Sequence, residues 1–447
     1  MTALLYTLGL VGFVVAILVS IGLHEIGHMV PAKIFGAKVP QYFIGFGRTV
    51  WSRKVGETEY GFKAFPLGGF VKIVGMLPPG PEGPAEVEED ADGNKVVRVR
   101  GSSTGMFRQL ISDARAAEAE FIKPEDEPRL FYKLASWKKI VVMASGPLTN
   151  LAIAFVLFWG LYAVYGNPLD TRTEPVVSQV LDCVVPYAEN NRPCTPQDPV
   201  TPAKKAGIQA GDEFLAVNGV PVTTWDQTTQ QIRSIKDGEV TLTILRDGET
   251  LTITTNTTVT ALPTSPEDPK LVDVGFLGVQ ATSVRVTGGP LYTLKQMGTM
   301  AGETAKALVT LPVKVWHVGL SIVGVEQRSI DSPVSIVGGG RIAGEVTASD
   351  QIALAQKGAM LVGLVAGFNF FVGAFNLIPL LPLDGGHIAG AMWEAIRRGL
   401  SRLRGRPDPG YVDVAKLLPV AYVVGALMLV MGLVLIVADI VRPLHIT

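Results

Sequence analysis

The sequence predicts an α-helical polytopic membrane protein with about four transmembrane helices, a cytosolic β-hairpin region and one inserted extracytoplasmic α+β domain. Three observations predict it. Hydrophobic residues make up 48% of the 447 and charged residues only 18%, with a mean hydropathy of +0.33, too apolar for an ordinary soluble enzyme. Four apolar runs, near residues 4–23, 140–165, 358–377 and 417–437, match the roughly 20 residues that cross a hydrocarbon core. Between the second and third runs the composition turns soluble from about residue 167 to 283. With 39 basic and 40 acidic side chains the net charge is −1, which supplies no global field for nucleic acid, so no nucleic-acid partner is expected.

The first run carries no charge up to Leu23. No basic segment precedes it and no small-residue cleavage site follows before the histidines, so it reads as a retained span and not a removed signal. Lys33, Lys38, Arg48, Arg53 and Lys54 come next, which by the positive-inside rule puts the N-terminus outside and the end of this span at the cytosol. There lies His24-Glu25-Ile26-Gly27-His28. Histidines four apart share one helix face, so both imidazoles can reach one zinc ion while Glu25 leans toward a metal-bound water. Only five histidines occur in the chain, which makes a chance match rare. The plainer reading is that His24 and Glu25 mark where a hydrophobic helix surfaces.

Residues 41–76 are glycine-rich with strand-like alternation, placing a sheet edge directly after the zinc motif, where an extended peptide can add a strand. Residues 78–130, with Glu86, Glu88, Glu89 and Asp90, read as a mobile acidic cytosolic loop holding one short helix. Lys133, Lys138 and Lys139 start an outward second span. Ser145-Gly146-Pro147-Leu148-Thr149-Asn150 is expected to break that helix, and a break at membrane depth should face the active site. In the soluble stretch, Asn218-Gly219 and Asp247-Gly248 are tight-turn signals between strands. Cys183 and Cys194 fall in the same stretch, where an extracytoplasmic setting permits a disulfide; two unpaired thiols are the alternative.

Residues 291–325 carry apolar side chains at helical spacing, which suggests amphipathic helices on the outer surface, and a glycine-rich turn leads on to the third span. That span runs inward and is stopped by Pro379 and Pro382 just before Asp384. A lone carboxylate at such a depth is costly and reads as functional. His24, His28 and Asp384 together make a three-ligand zinc site with a position open for water, one Zn2+ per chain; His387 is left structural. Arg397, Arg398, Arg402, Arg404 and Arg406 fix the following loop in the cytosol, and a fourth span returns outward, leaving both termini extracytoplasmic. The expected segments are 1–77 (first helix, zinc motif, β region), 78–130 (acidic loop), 131–166 (second helix), 167–285 (extracytoplasmic domain), 286–357 (amphipathic helices) and 358–447 (third and fourth helices).

HEIGH in the first span, GFGR followed by FPLGGFVKI, SGPLTN in the second span, SPVSIV, and NLIPLLPLDGGH in the third together resemble the site-2 protease family of intramembrane zinc metalloproteases. The chain is most similar to bacterial members of the regulator-of-sigma-E protease type, and among them to actinobacterial ones with a single PDZ module, since residues 167–285 resemble a PDZ-like domain. The resemblance implies that His24, His28 and Asp384 bind zinc, that Glu25 is the catalytic base and acid, that Asn376 contacts the substrate backbone or oxyanion, and that Gly68, Gly69 and Phe70 lie on a substrate-engaging loop. It implies cleavage of single-span membrane proteins, anti-sigma factors among them, after an upstream site-1-type protease has trimmed the ectodomain. The rival is a non-catalytic membrane adaptor whose PDZ module recruits peptide tails.

Overall fold

The computed structural model describes residues 2–78, 86–89, 95–98, 106–119, 122–189, 192–265 and 268–444. The uncharged opening run continues through the HExxH segment as one helix, α1 (Thr2–Ile34). After it β1 (Gln41–Val55) and β2 (Thr58–Lys72) form a long irregular hairpin. Residues 41–44 lie between two stretches of β2, 59–62 on one side and 69–72 on the other, so 69–72 forms an edge there. Gly45 and Gly68 sit at φ +95° and +112°, and a side chain on Gly45 would strike the Phe65 carbonyl, so glycine lets the strands curl where the register shifts. A short hairpin of β3 (Glu86–Glu89) and β4 (Lys95–Arg98) follows, then α2 (Met106–Ala119) within the acidic segment. Ion pairs tie this segment back to the β region: Lys38 to Asp126, Arg129 to Glu57, and Glu118 to Lys72, with Glu118 also accepting from the Gly75 amide at 2.7 Å.

The second long apolar run is α3 (Ser136–Val164). It departs from expectation: the helix is continuous through Pro147, with Ser145 and Thr149 hydroxyls bonded back to the carbonyls of Val141 and Ser145. Neighbouring helices make this possible, because close packing through Gly27 and Gly146 supports the backbone where the proline removes a donor.

Residues 162–288 make a separate compact α+β unit. Its elements are β5 (Asn167–Val180), α4 (Pro202–Lys205), β6 (Glu213–Val217), β7 (Val220–Pro221), α5 (Trp225–Ile235), β8 (Glu239–Arg246), β9 (Glu249–Asn256), β10 (Thr258–Ser265), β11 (Asp268–Phe276) and β12 (Val279–Val286). The main sheet has the order β12-β5-β6-β8-β9, with β7 on β6 and β10–β11 as a hairpin of their own. Asp247 and Gly248 both adopt positive φ, as a two-residue hairpin turn between β8 and β9 requires. Phe214, Leu242 and Ile244 are fully buried in the core, each contributing roughly 1.5–3 kcal/mol by leaving water. Cys183 and Cys194 are joined in a disulfide, their Cα atoms 6.0 Å apart.

The other unit resumes with α6 (Pro290–Ile322), a single long helix where several amphipathic pieces were expected. The glycine-rich stretch expected to be a turn is instead a helix, α7 (Ile336–Ala348). It packs flat on α1: a Cβ on Gly339, Gly340 or Gly344 would come within 3.0 Å of Phe13, Leu10 or Tyr6. The close contact between helices offsets the weak helix propensity of glycine. α8 (Leu354–Asn376), α9 (Asp384–Leu403) and α10 (Leu418–Val441) complete the chain. Among the described residues four helices are long and apolar enough to span a bilayer, α1, α3, α8 and the stretch Val414–Val441, and the protein is a multi-pass membrane protein.

Candidate metal centre

Three ligand-type atoms from opposite ends of the chain converge. His24 and His28 lie one turn apart on α1, and their Nε2 atoms are 3.2 Å from each other. Asp384, the first residue of α9, places Oδ2 3.3 Å from each. The corner between α8 and α9 delivers that carboxylate. A Cβ on Gly385 would lie 2.1 Å from the Ile378 carbonyl and one on Gly386 2.6 Å from the Leu381 amide, so only glycines let the chain fold back tightly enough to aim Asp384 at α1.

The other ring nitrogens fix the tautomers. His28 Nδ1 donates to the Val142 carbonyl at 2.8 Å, an acceptor by necessity. His24 Nδ1 donates to Asn150 Oδ1 at 2.9 Å. The orientation of the Asn150 amide follows from its neighbours, since Nδ2 donates to Asn369 Oδ1 at 3.2 Å and Asn369 Nδ2 donates to the Ser20 hydroxyl at 3.0 Å and the Val365 carbonyl at 2.9 Å. Ser20 in turn donates to Ala16. Asn150 and Asn369 are fully buried, so the run of donors has a single direction, away from the imidazole.

With both Nδ1 atoms protonated, two Nε2 lone pairs and a carboxylate oxygen face one another with no donor among them. Three converging acceptors repel unless a cation joins them. Their spacing of 3.2–3.3 Å is close to the ligand–ligand edge of about 3.3 Å that tetrahedral zinc with bonds near 2.0 Å produces. These residues fit the metal, and α3 leaves room for it: a Cβ on Gly146 would sit 2.2 Å from His28 Nε2.

Residues 12–418 match the profile of peptidase family M50. This chain belongs to that family. It is 35% identical to the zinc metalloprotease Rip1 of Mycolicibacterium smegmatis, covering 99% of this chain and 100% of the relative, and 34% identical to Rip1 of Mycobacterium tuberculosis, covering 99% of each. The zinc metalloprotease RasP of Bacillus licheniformis is 27% identical over 84% of this chain and 87% of its own. Zinc is accordingly the cofactor of this M50 chain.

The remaining site candidates lie around this M50 centre. Glu25 is half-buried beside β2, where a Cβ on Gly69 would be 3.2 Å from its Cγ. Gly68, Gly69 and Phe70 belong to β2, with Gly69 and Phe70 on the edge stretch paired to Ile44 and Phe43. Below them Tyr42 donates from its hydroxyl to the Gly22 carbonyl at 2.9 Å; burial, aided by the Glu25 charge, pushes that hydroxyl up to about 12 and keeps it protonated. Asn376 is the half-buried last residue of α8 and makes no side-chain hydrogen bond among the described residues. His387 stands one turn beyond Asp384 and is not part of the three-residue cluster. Sequence reasoning missed Asn369 and assigned no role to Gly146 or Asn150. The available signal was two amides inside apolar helices, each of which needs a partner at that depth.

Proposed function

We propose that this chain, a zinc metalloprotease of family M50, hydrolyses peptide bonds in or beside the transmembrane segments of single-span membrane proteins. The observation that carries this reading is the convergence of His24, His28 and Asp384 on the helix that also holds Glu25, next to a sheet edge. A helical substrate hides its carbonyls in hydrogen bonds. Added as a strand along residues 69–72, the same segment becomes extended and places a peptide bond near Glu25.

The two imidazoles and Asp384 would hold the zinc, which would supply Lewis acidity for activating water and polarising the scissile carbonyl. Glu25 takes the proton from the attacking water and returns it to the departing amine. The Asn376 amide donates to the developing oxyanion. Asn150 and the Val142 carbonyl hold the imidazoles in the tautomer that leaves Nε2 free.

The positive-inside distribution supports a centre near the cytosolic face, with both termini and the unit 162–288 extracytoplasmic. We read that unit as PDZ-like, a module that takes an extended peptide or a free carboxyl terminus and also restricts bulky ectodomains. Membrane-anchored anti-sigma factors, shortened first by a site-1-type protease, are the substrate class we propose. The test is Glu25→Gln in the purified protein. Stoichiometric zinc with cleavage lost is expected, and single-span fragments should accumulate in membranes carrying the variant. Turnover retained by Glu25→Gln would overturn the scheme.

A further inference from the structure

We propose that α9 is a lipid-binding helix, whose exposed apolar arc and C-terminal arginines engage an anionic phospholipid surface. Met392, Trp393, Ile396, Leu400 and Leu403 are each at least 45% exposed. At 100° per residue they fall within an arc of about 100°, while Ala391 and Glu394, both buried, lie on the opposite side. Arg404 borders the arc on one flank at the helix end, Arg402 lies further round the exposed last turn, and Arg406 follows just past the helix.

Position and charge choose the occupant. α8 and α10 are both spans, so residues 377–417 sit at one end of them. The buried side of α9 is pinned to the start of α3, where Lys139 meets both Glu394 oxygens at 2.9 Å and Ser136 donates to Glu394 at 3.0 Å. The arc therefore faces outward near the level where a span ends, the depth at which tryptophan and amphipathic arcs rest. Every acidic side chain of this segment is already engaged: Asp384 at the imidazoles, Glu394 with Lys139, Asp408 with Arg398 and Asp413 with Arg115. Arg402, Arg404 and Arg406 are exposed and make no side-chain pair among the described residues. The charge left over beside the apolar arc is thus positive, matching anionic headgroups. The helix held there begins at Asp384.

The test places a single reporter on the arc of the full chain. Leu403→Cys, labelled with a polarity-sensitive fluorophore, is reconstituted one copy per nanodisc in phosphatidylcholine alone and with about 30 mol% phosphatidylglycerol. Each cation at an anionic surface strengthens partition about fivefold, so acrylamide quenching should be at least about threefold weaker in the anionic discs. R402Q/R404Q/R406Q should remove that difference, while R402K/R404K/R406K, which keeps the charge, should retain it. Equal quenching in both lipids, protection that survives the glutamine variant, or protection that arises only when two copies share a disc would each overturn the assignment.

Discussion

Gly146→Ala adds one methyl group to α3. In an exposed helix that change stabilises by roughly 1 kcal/mol, because alanine is the better helix former. Here the sign reverses. The new Cβ would lie 2.2 Å from His28 Nε2, 2.5 Å from Cε1 and 2.7 Å from Cδ2, against an ordinary contact of 3.4 Å or more. The ring must retreat by about 1 Å, whereas metal bonds tolerate only about 0.2 Å. It cannot swing aside freely, since Nδ1 is held by Val142 and the residue is 4% exposed. One of the three proposed ligands is thereby misplaced, and zinc affinity should fall by at least about 100-fold, more than the loss of an outer partner costs. The assay is zinc per chain by elemental analysis after dialysis against graded chelator, with helix content followed in parallel. A Gly146→Ala protein that keeps one zinc per chain at the wild-type chelator midpoint would refute the packing argument.

Asn150→Leu should weaken zinc by about 10–100-fold by leaving the His24 Nδ1 proton without an acceptor, and chelator competition reads this directly. Lys139→Met leaves Glu394, 3% exposed, without its main partner; a loss of about 3 kcal/mol is expected in detergent unfolding, and a change below about 1 kcal/mol would mean the pair does not hold α9 to α3. In the unit 162–288, burial alone would raise the Asp212 carboxyl, but Arg246 at 2.7 Å and the Gln209 amide hold it below the ordinary value. The unfolded chain then takes up that proton at higher pH than the native one. The stabilisation is complete above about pH 4 and is lost as pH falls through the depressed native value. Hydrogen exchange of β6 and β8 in the whole protein, corrected for intrinsic rates, should show this, and Asp212→Asn should flatten the dependence.

What could be read from the sequence was local. The two histidines announce themselves through a four-residue spacing on an apolar helix, and Asp384 through two prolines that stop a span just before a carboxylate. The features that were missed depend on which helix lies beside which. Gly146 looked like part of a helix break because its partner, His28, is 118 residues away in sequence and no periodicity encodes that contact. Asn369 was invisible for the same reason. α7 was mistaken for a turn because glycine propensity opposes a helix that only packing on α1 supports. α9 was hidden by its arginines, which drew attention to charge and away from the recurring apolar positions at 392, 396, 400 and 403.

The distance along the polypeptide between the imidazoles and the carboxylate has a bearing on biosynthesis. Some 360 residues separate them, about 20–70 s of ribosome travel at 5–20 residues per second. On the proposed ligand set, the nascent chain holds two of the three metal-binding side chains throughout that interval and lacks the third. A product ending before Asp384 would lack the third proposed ligand for the same reason, because the last seventh of the chain supplies it.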